Sequence, residues 1–213
     1  MLKNVLYILF TAFSFKIIEV ILHKINKRID KYTVYIWGIL LFLVSYFSKD
    51  TFVFQLPQKV STVIILFFEV LIINCLISRG SGYSPQGLYM KLNFMITFPI
   101  FEEIAFRGII LSRLIQLEFL NHWVSVLGIF SATPAILISA FLFAVAHLQY
   151  YRLNKASIRY MVFAMCGGIF FGIIATVSES ILLTIPLHMA FNCTAVYYDK
   201  RANIKRIKME SSL

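Results

Sequence analysis

The sequence predicts an all-α, polytopic membrane protein with about seven transmembrane helices, and three observations predict it. Of 213 residues, 60% are hydrophobic and 14% charged, where a soluble domain carries about 25% charged residues. The mean hydropathy of +0.81 exceeds what one small globule can hide, because the surface of such a globule needs far more polar residues than this chain has. Apolar runs of roughly the ~20 helical residues that a ~30 Å hydrocarbon core requires recur along the chain, each bounded by charge or turn residues. These observations exclude an ordinary soluble domain.

The runs are Leu2 to Leu22, Tyr32 to Phe47, Val60 to Ile77, Leu92 to Gln116, Pro134 to Tyr150, Ile158 to Val177 and Ile181 to Tyr198. The first holds Lys16 and Glu19 and lacks a small-residue cleavage site, so it reads as a retained span and not as a signal peptide. Three apart on one helix face, Lys16 and Glu19 can pair, which lessens the penalty of each charge in lipid. The second run is the shortest. Cys75, Cys166 and Cys193 sit inside apolar runs without metal-ligand spacing and read as small buried apolar residues.

Orientation follows from the basic residues, since cytoplasmic loops are enriched in Lys and Arg. With the first loop inside, Lys24, Lys27, Arg28, Lys31, Arg79, Lys91, Arg152, Lys155, Arg159, Lys200, Arg201, Lys205, Arg206 and Lys208 share the inner side. The outer side receives Lys3, Lys49, Lys59 and Arg113. The N-terminus is therefore expected outside and the C-terminus in the cytoplasm of a cell-membrane, multi-pass protein. The net charge of +10 is accounted for by membrane-facing loops and a basic tail directed at membrane lipid, and no nucleic-acid partner is expected.

The richest Gly, Ser and Pro cluster, Arg79 to Gly87 (RGSGYSPQG), divides the chain. The resulting organisation is three N-terminal transmembrane helices over 1–78, a loop over 79–91, a four-helix core over 92–198 and a basic tail over 199–213. The first part holds few intramembrane polar residues, namely Lys16, Glu19, Glu69 and Asn74, and the core holds every histidine except His23.

Ionisable side chains within spans are expensive, so each needs a partner or a purpose. In the fourth span Glu103 and Arg107 stand at i, i+4 and can pair across one helix face. Glu102 points about 100° away and is left without that partner. A carboxylate in low dielectric beside a second one is suited to general-base work near neutral pH. The fifth span ends on His147, and in the seventh His188 and Asn192 share a face. Pro186 removes a backbone donor and is expected to bend the helix just before His188. At ~1.5 Å per residue, Glu102 and His188 lie about 15 Å from the inner ends of their spans, Asn192 about 9 Å and His147 about 5 Å. Glu102, His147, His188 and Asn192 can therefore converge in the cytoplasmic half of the membrane, while His122 lies outside the set, near the outer interface.

The segments EEIAFRG (Glu102 to Gly108), FAVAH (Phe143 to His147) and HMAFN (His188 to Asn192), in this order and each on an expected span, resemble the successive motifs of the CPBP family. These are the CAAX-type and bacteriocin-processing intramembrane proteases, also called the Abi family, and the resemblance covers roughly Leu92 to Tyr198. Gly167, Gly168 and Gly172 fall where the family has a glycine-rich span, and close helix packing is sufficient reason for them. Ser178 and Glu179 depart from the pattern, since a glycine-containing turn is expected there.

The resemblance and the residues together imply an intramembrane endopeptidase acting on a membrane-associated peptide or protein. Glu102 would deprotonate a water, His147 would position it, and His188 with Asn192 would stabilise the oxyanion, with Glu103 and Arg107 as structural support. Prenylated C-terminal peptides and bacteriocin or signalling-peptide precursors are the substrates the resemblance implies. A serine mechanism ranks low, because neither Ser112 nor Ser139 has a base beside it in the sequence. Two routes stay open on metal. Glu102, His147 and His188 would supply three ligands to zinc or another divalent ion, as the metalloprotease label of the family implies, whereas the chain has no HExxH helix and a metal-free glutamate route serves equally. The alternatives to a protease are a catalytically silent membrane binding or immunity protein on the same scaffold and, behind it, a transporter.

Overall fold

The computed structural model describes residues 2–48, 52–83 and 85–210, the last ten by their backbone alone. Lys49, expected on the outer side, Ser84 of the dividing loop and residues 211–213 of the tail lie outside the described residues. Among the described residues, seven helical rods follow the seven apolar runs: α1 (Leu2–Ile25), α2 (Thr33–Phe47), α3 (Val60–Ile77), α4 (87–115), α5 (Pro134–Ala146), α6 (Lys155–Ser178) and α7 (Thr184–Glu210). The chain is an all-α polytopic membrane protein. Four stretches are long and apolar enough to cross a bilayer, Leu2–Ile25, Lys27–Phe47, Val60–Gly80 and Lys155–Ser178, and Pro134–Gln149 is a shorter apolar helix. The short second run gains its length from a 3₁₀ turn, Lys27–Tyr32, which leads into α2.

α4 is the axis of the fold, and it is not one regular helix. Helical Gly87–Leu92 passes into a π-helical Asn93–Thr97, then Phe98–Glu103, a second π segment Ile104–Leu111, and Ser112–Ile115. All eight residues of Ile104–Leu111 are buried, surrounded by α1, α2, α5 and α6. A π ladder displaces carbonyls from their usual partners, and here they find others. Phe106 O accepts from Ser139 Oγ at 3.0 Å, and Gly108 O accepts from Ser112 Oγ at 2.6 Å. Both serines are thus engaged in holding the irregular helix.

α5 and α6 pack closely because α6 is cut away where they touch. A Cβ at Gly168 would stand 3.0 Å from Ala140 Cβ, and one at Gly172 would stand 2.8 Å from Ile136 Cγ2. Thr133 caps α5 ahead of Pro134, and Asn154 with Ser157 forms a capping box at the start of α6.

Several expectations are corrected. α4 begins at Gly87 within the expected loop, because Leu88, Met90, Lys91 and Leu92 are helix formers continuous with the span. A two-stranded hairpin, β1 (Val124–Val126) with β2 (Phe130–Ala132), joins α4 to α5 and turns through left-handed Leu127 and Gly128. Pro186 does not bend α7: it falls in the first turn, where no intrahelical donor is needed. Cys166 and Cys193 are exposed, not buried, since the apolar side of a membrane helix also faces lipid. Glu179 adopts the left-handed conformation (φ 53°) and ends α6, so a non-glycine residue occupies the turn where a glycine was expected.

Candidate active site

The polar residues of the spans separate by their partners. Lys16 pairs with Glu19 on α1, as their spacing suggests. Glu103 and Arg107 are fully buried and bonded, Arg107 Nη1 donating to Glu103 Oε1 at 3.0 Å. The Arg107 guanidinium also lies 4.3 Å from the Phe143 ring centroid and 5.4 Å from that of Phe171, a cation–π clamp of the kind that strengthens on desolvation. Gly168 leaves room for it, since a Cβ there would be 3.2 Å from Arg107 Nη2.

The same Glu103 oxygen receives a second donor. His188 Nδ1 donates to Glu103 Oε1 at 2.9 Å, and its other nitrogen, Nε2, lies 3.7 Å from Glu102 Oε2. The Glu103 oxygen that pairs with Arg107 accepts from His188, so the ring's donor is Nδ1 and Nε2 is left toward Glu102. His147 is oriented by the same device: its Nδ1 donates to Phe143 O at 2.9 Å, since a carbonyl only accepts, and its Nε2 is left free of that bond. Asn192 Nδ2 donates to Phe94 O of the first π segment at 2.7 Å. That amide is therefore partly committed to tying α7 to α4.

Glu102, His147, His188 and Asn192 all line one cavity of about 380 Å³. Glu103 and Arg107 stand behind its wall and His122 is exposed on the loop before the hairpin. Sequence reasoning gave no site role to three further residues. Tyr150 lines the cavity together with Glu102; its place one turn after His147 was the available signal. Asn74 of α3 donates to Leu187 O at 3.0 Å, holding α7 beside His188. Gln149 bridges two backbone groups of α1, donating to Ala12 O at 2.9 Å and accepting from Lys16 N at 3.0 Å. These are the i, i+4 partners of one helical hydrogen bond, so Gln149 staples the turn carrying His147 onto α1. Only its polarity in an apolar run hinted at this.

Among the described residues no group of three His, Cys, Asp or Glu side chains comes together to hold a metal ion. The trio of Glu102, His147 and His188 shares a cavity without closing into a ligand set.

A family model described as type II CAAX prenyl endopeptidase, Rce1-like, matches residues 84–194, more than half of the chain. The chain belongs to this family. The match spans α4 to α7 and contains every motif residue named above, while α1, α2 and α3 precede it. None of the curated proteins and none of the solved structures matches the chain. Membership makes the protein a CAAX-type intramembrane protease, a multi-pass membrane enzyme whose substrate is a membrane-associated peptide. The buried glutamates of this Rce1-like endopeptidase thus have unlike surroundings, one facing the cavity and one bonded behind its wall.

Proposed function

We propose that this endopeptidase hydrolyses its peptide bond with Glu102 as the base that activates water. The observation that carries the reading is the division of labour around His188: Glu103 fixes Nδ1, and Nε2 faces Glu102 on the cavity side. A water between Glu102 and His147 Nε2 gives its proton to Glu102 as its oxygen attacks the scissile carbonyl. The oxyanion meets the Tyr150 hydroxyl and the second amide hydrogen of Asn192, and Glu102 returns the proton to the leaving amine. General-base assistance is worth about 10²- to 10⁴-fold, and one oxyanion donor about 10²- to 10³-fold. Every step runs through side chains of this chain, with no covalent intermediate.

The orientation goes with this reading. The cavity reaches Ser81 and Tyr83 of the loop between α3 and α4, which carries Arg79 on the side expected to be cytoplasmic. An unwound substrate segment would approach from there, with the N-terminus of the protein outside and the basic tail inside. Comparative profiling of peptides from cells with the wild-type chain or with Glu102→Gln tests the proposal. Accumulation of an uncleaved membrane-associated precursor in the variant is expected; identical profiles would refute it.

A further inference from the structure

Glu69 is the intramembrane charge that the site does not absorb. It stands on α3, nine residues after Val60 and eight before Ile77, about 13 Å and 12 Å from the helix ends, farther than its side chain can stretch. Its side is exposed, and among the described residues it makes no hydrogen bond or ion pair. A polar group at that depth normally faces a protein partner. α3 turns its other face, Val63, Val70 and Asn74, to the bundle, and it is the least buried of the four long spans, 17% against 28 to 39%.

The exposed side has a regular order. Thr62, Ile65, Glu69, Ile72 and Leu76 are all exposed and follow at steps of three, four, three and four. Ile65, Ile72 and Leu76 are 70%, 60% and 53% exposed. Phe68 and Ile73, 54% and 49% exposed, flank Glu69 on the same side, and along its middle these five follow the 3.5-residue repeat of a left-handed helix pair, with the ionisable residue at its centre.

We propose that this seam of α3 is the interface of a two-fold dimer, in which Glu69 meets the partner's Glu69. Copies in one bilayer share an orientation, so a two-fold axis along the membrane normal sets α3 parallel to its own copy and the two glutamates at one depth. A carboxyl holding its proton has one donor and one acceptor. Two of them satisfy each other and bury no net charge. A second copy supplies that complement automatically, whereas an unrelated helix must carry a matching group at the same height. The dimer goes beyond the proteolytic reading and does not depend on it.

Cross-linking in native membranes tests the seam. In a chain with Cys75, Cys166 and Cys193 replaced by Ala, Ile65→Cys and Ile72→Cys should each give a homodimer under oxidation, severalfold more than Ile64→Cys, which leaves the seam. Light scattering of the unaltered protein in mild detergent provides a second reading free of those substitutions, with twice the 24.6 kDa chain mass expected. Glu69→Gln, which keeps a donor and an acceptor, should retain the dimer, and Glu69→Leu should raise its dissociation constant about threefold to twentyfold, the measured range for polar contacts between membrane helices. Equal cross-linking at Ile64→Cys, cross-linking to a different chain, or a monomeric wild-type protein unaffected by Glu69→Leu would overturn the proposal.

Discussion

α3 and α4 are both apolar spans that carry glutamate near mid-membrane, and they treat it in opposite ways. α3 is a regular helix with Glu69 on its outer face. α4 is irregular, with Glu102 and Glu103 turned inward and its second π segment wholly buried. An apolar run in the sequence does not by itself set this difference. What does is the supply of partners: Arg107, His188 and Phe143 gather around the α4 glutamates, and among the described residues nothing comparable faces Glu69. An ionisable residue in a span becomes machinery when its neighbours divide the work of holding and reacting. In α4, on the proposed mechanism, Glu103 holds and Glu102 is left to react.

The largest expected effect comes from breaking the holding half. Glu103→Gln or Arg107→Leu leaves a buried charge without its partner, a loss of about 3–5 kcal/mol. Folded yield and melting temperature in detergent should fall sharply with activity, and normal melting in both variants would mean that the pair contributes nothing. On the reacting side, His188→Ala and His147→Ala should lower turnover about 10²- to 10³-fold with most of the folded yield kept, whereas the exposed His122→Ala should leave peptide cleavage unchanged. Comparable rates for the three alanine variants would erase the distinction between cavity and surface histidines. Gln149→Leu should have a smaller effect, because it frees two backbone groups of α1 and loosens His147 without removing a reacting group. We expect about a tenfold fall in kcat with KM nearly unchanged, since a misplacement of about 1 Å already costs up to 10²-fold; a pure loss of folded yield would make Gln149 structural only.

Much of this contrast was legible in the sequence, for identifiable reasons. Spans follow from composition and length, so the seven runs and the seven rods agree. The Glu103 to Arg107 pair is local, one helical turn, and spacing alone disclosed it. Glu102 stood out by lacking such a partner. What escaped notice depends on distant residues. The π segments are held by Ser139 and Asn192 from other helices. The Gln149 staple joins residues 133 positions apart, and no local pattern encodes it. Pro186 misled because its effect depends on whether it falls inside a helix or in its first turn, a boundary that sequence places poorly. At Ser178 and Glu179 the family pattern led to a glycine-containing turn, and left-handed Glu179 makes that turn without one.

Glu102 is proposed to react while Glu103 holds, and one measurement addresses this division most directly. Purified Glu102→Gln protein, reconstituted in lipid, should cleave a membrane-associated peptide substrate at least about 10²-fold more slowly than wild type while melting at the same temperature, since glutamine keeps the shape but cannot accept the proton from water. Wild-type turnover in a Glu102→Gln protein of unchanged stability would contradict it.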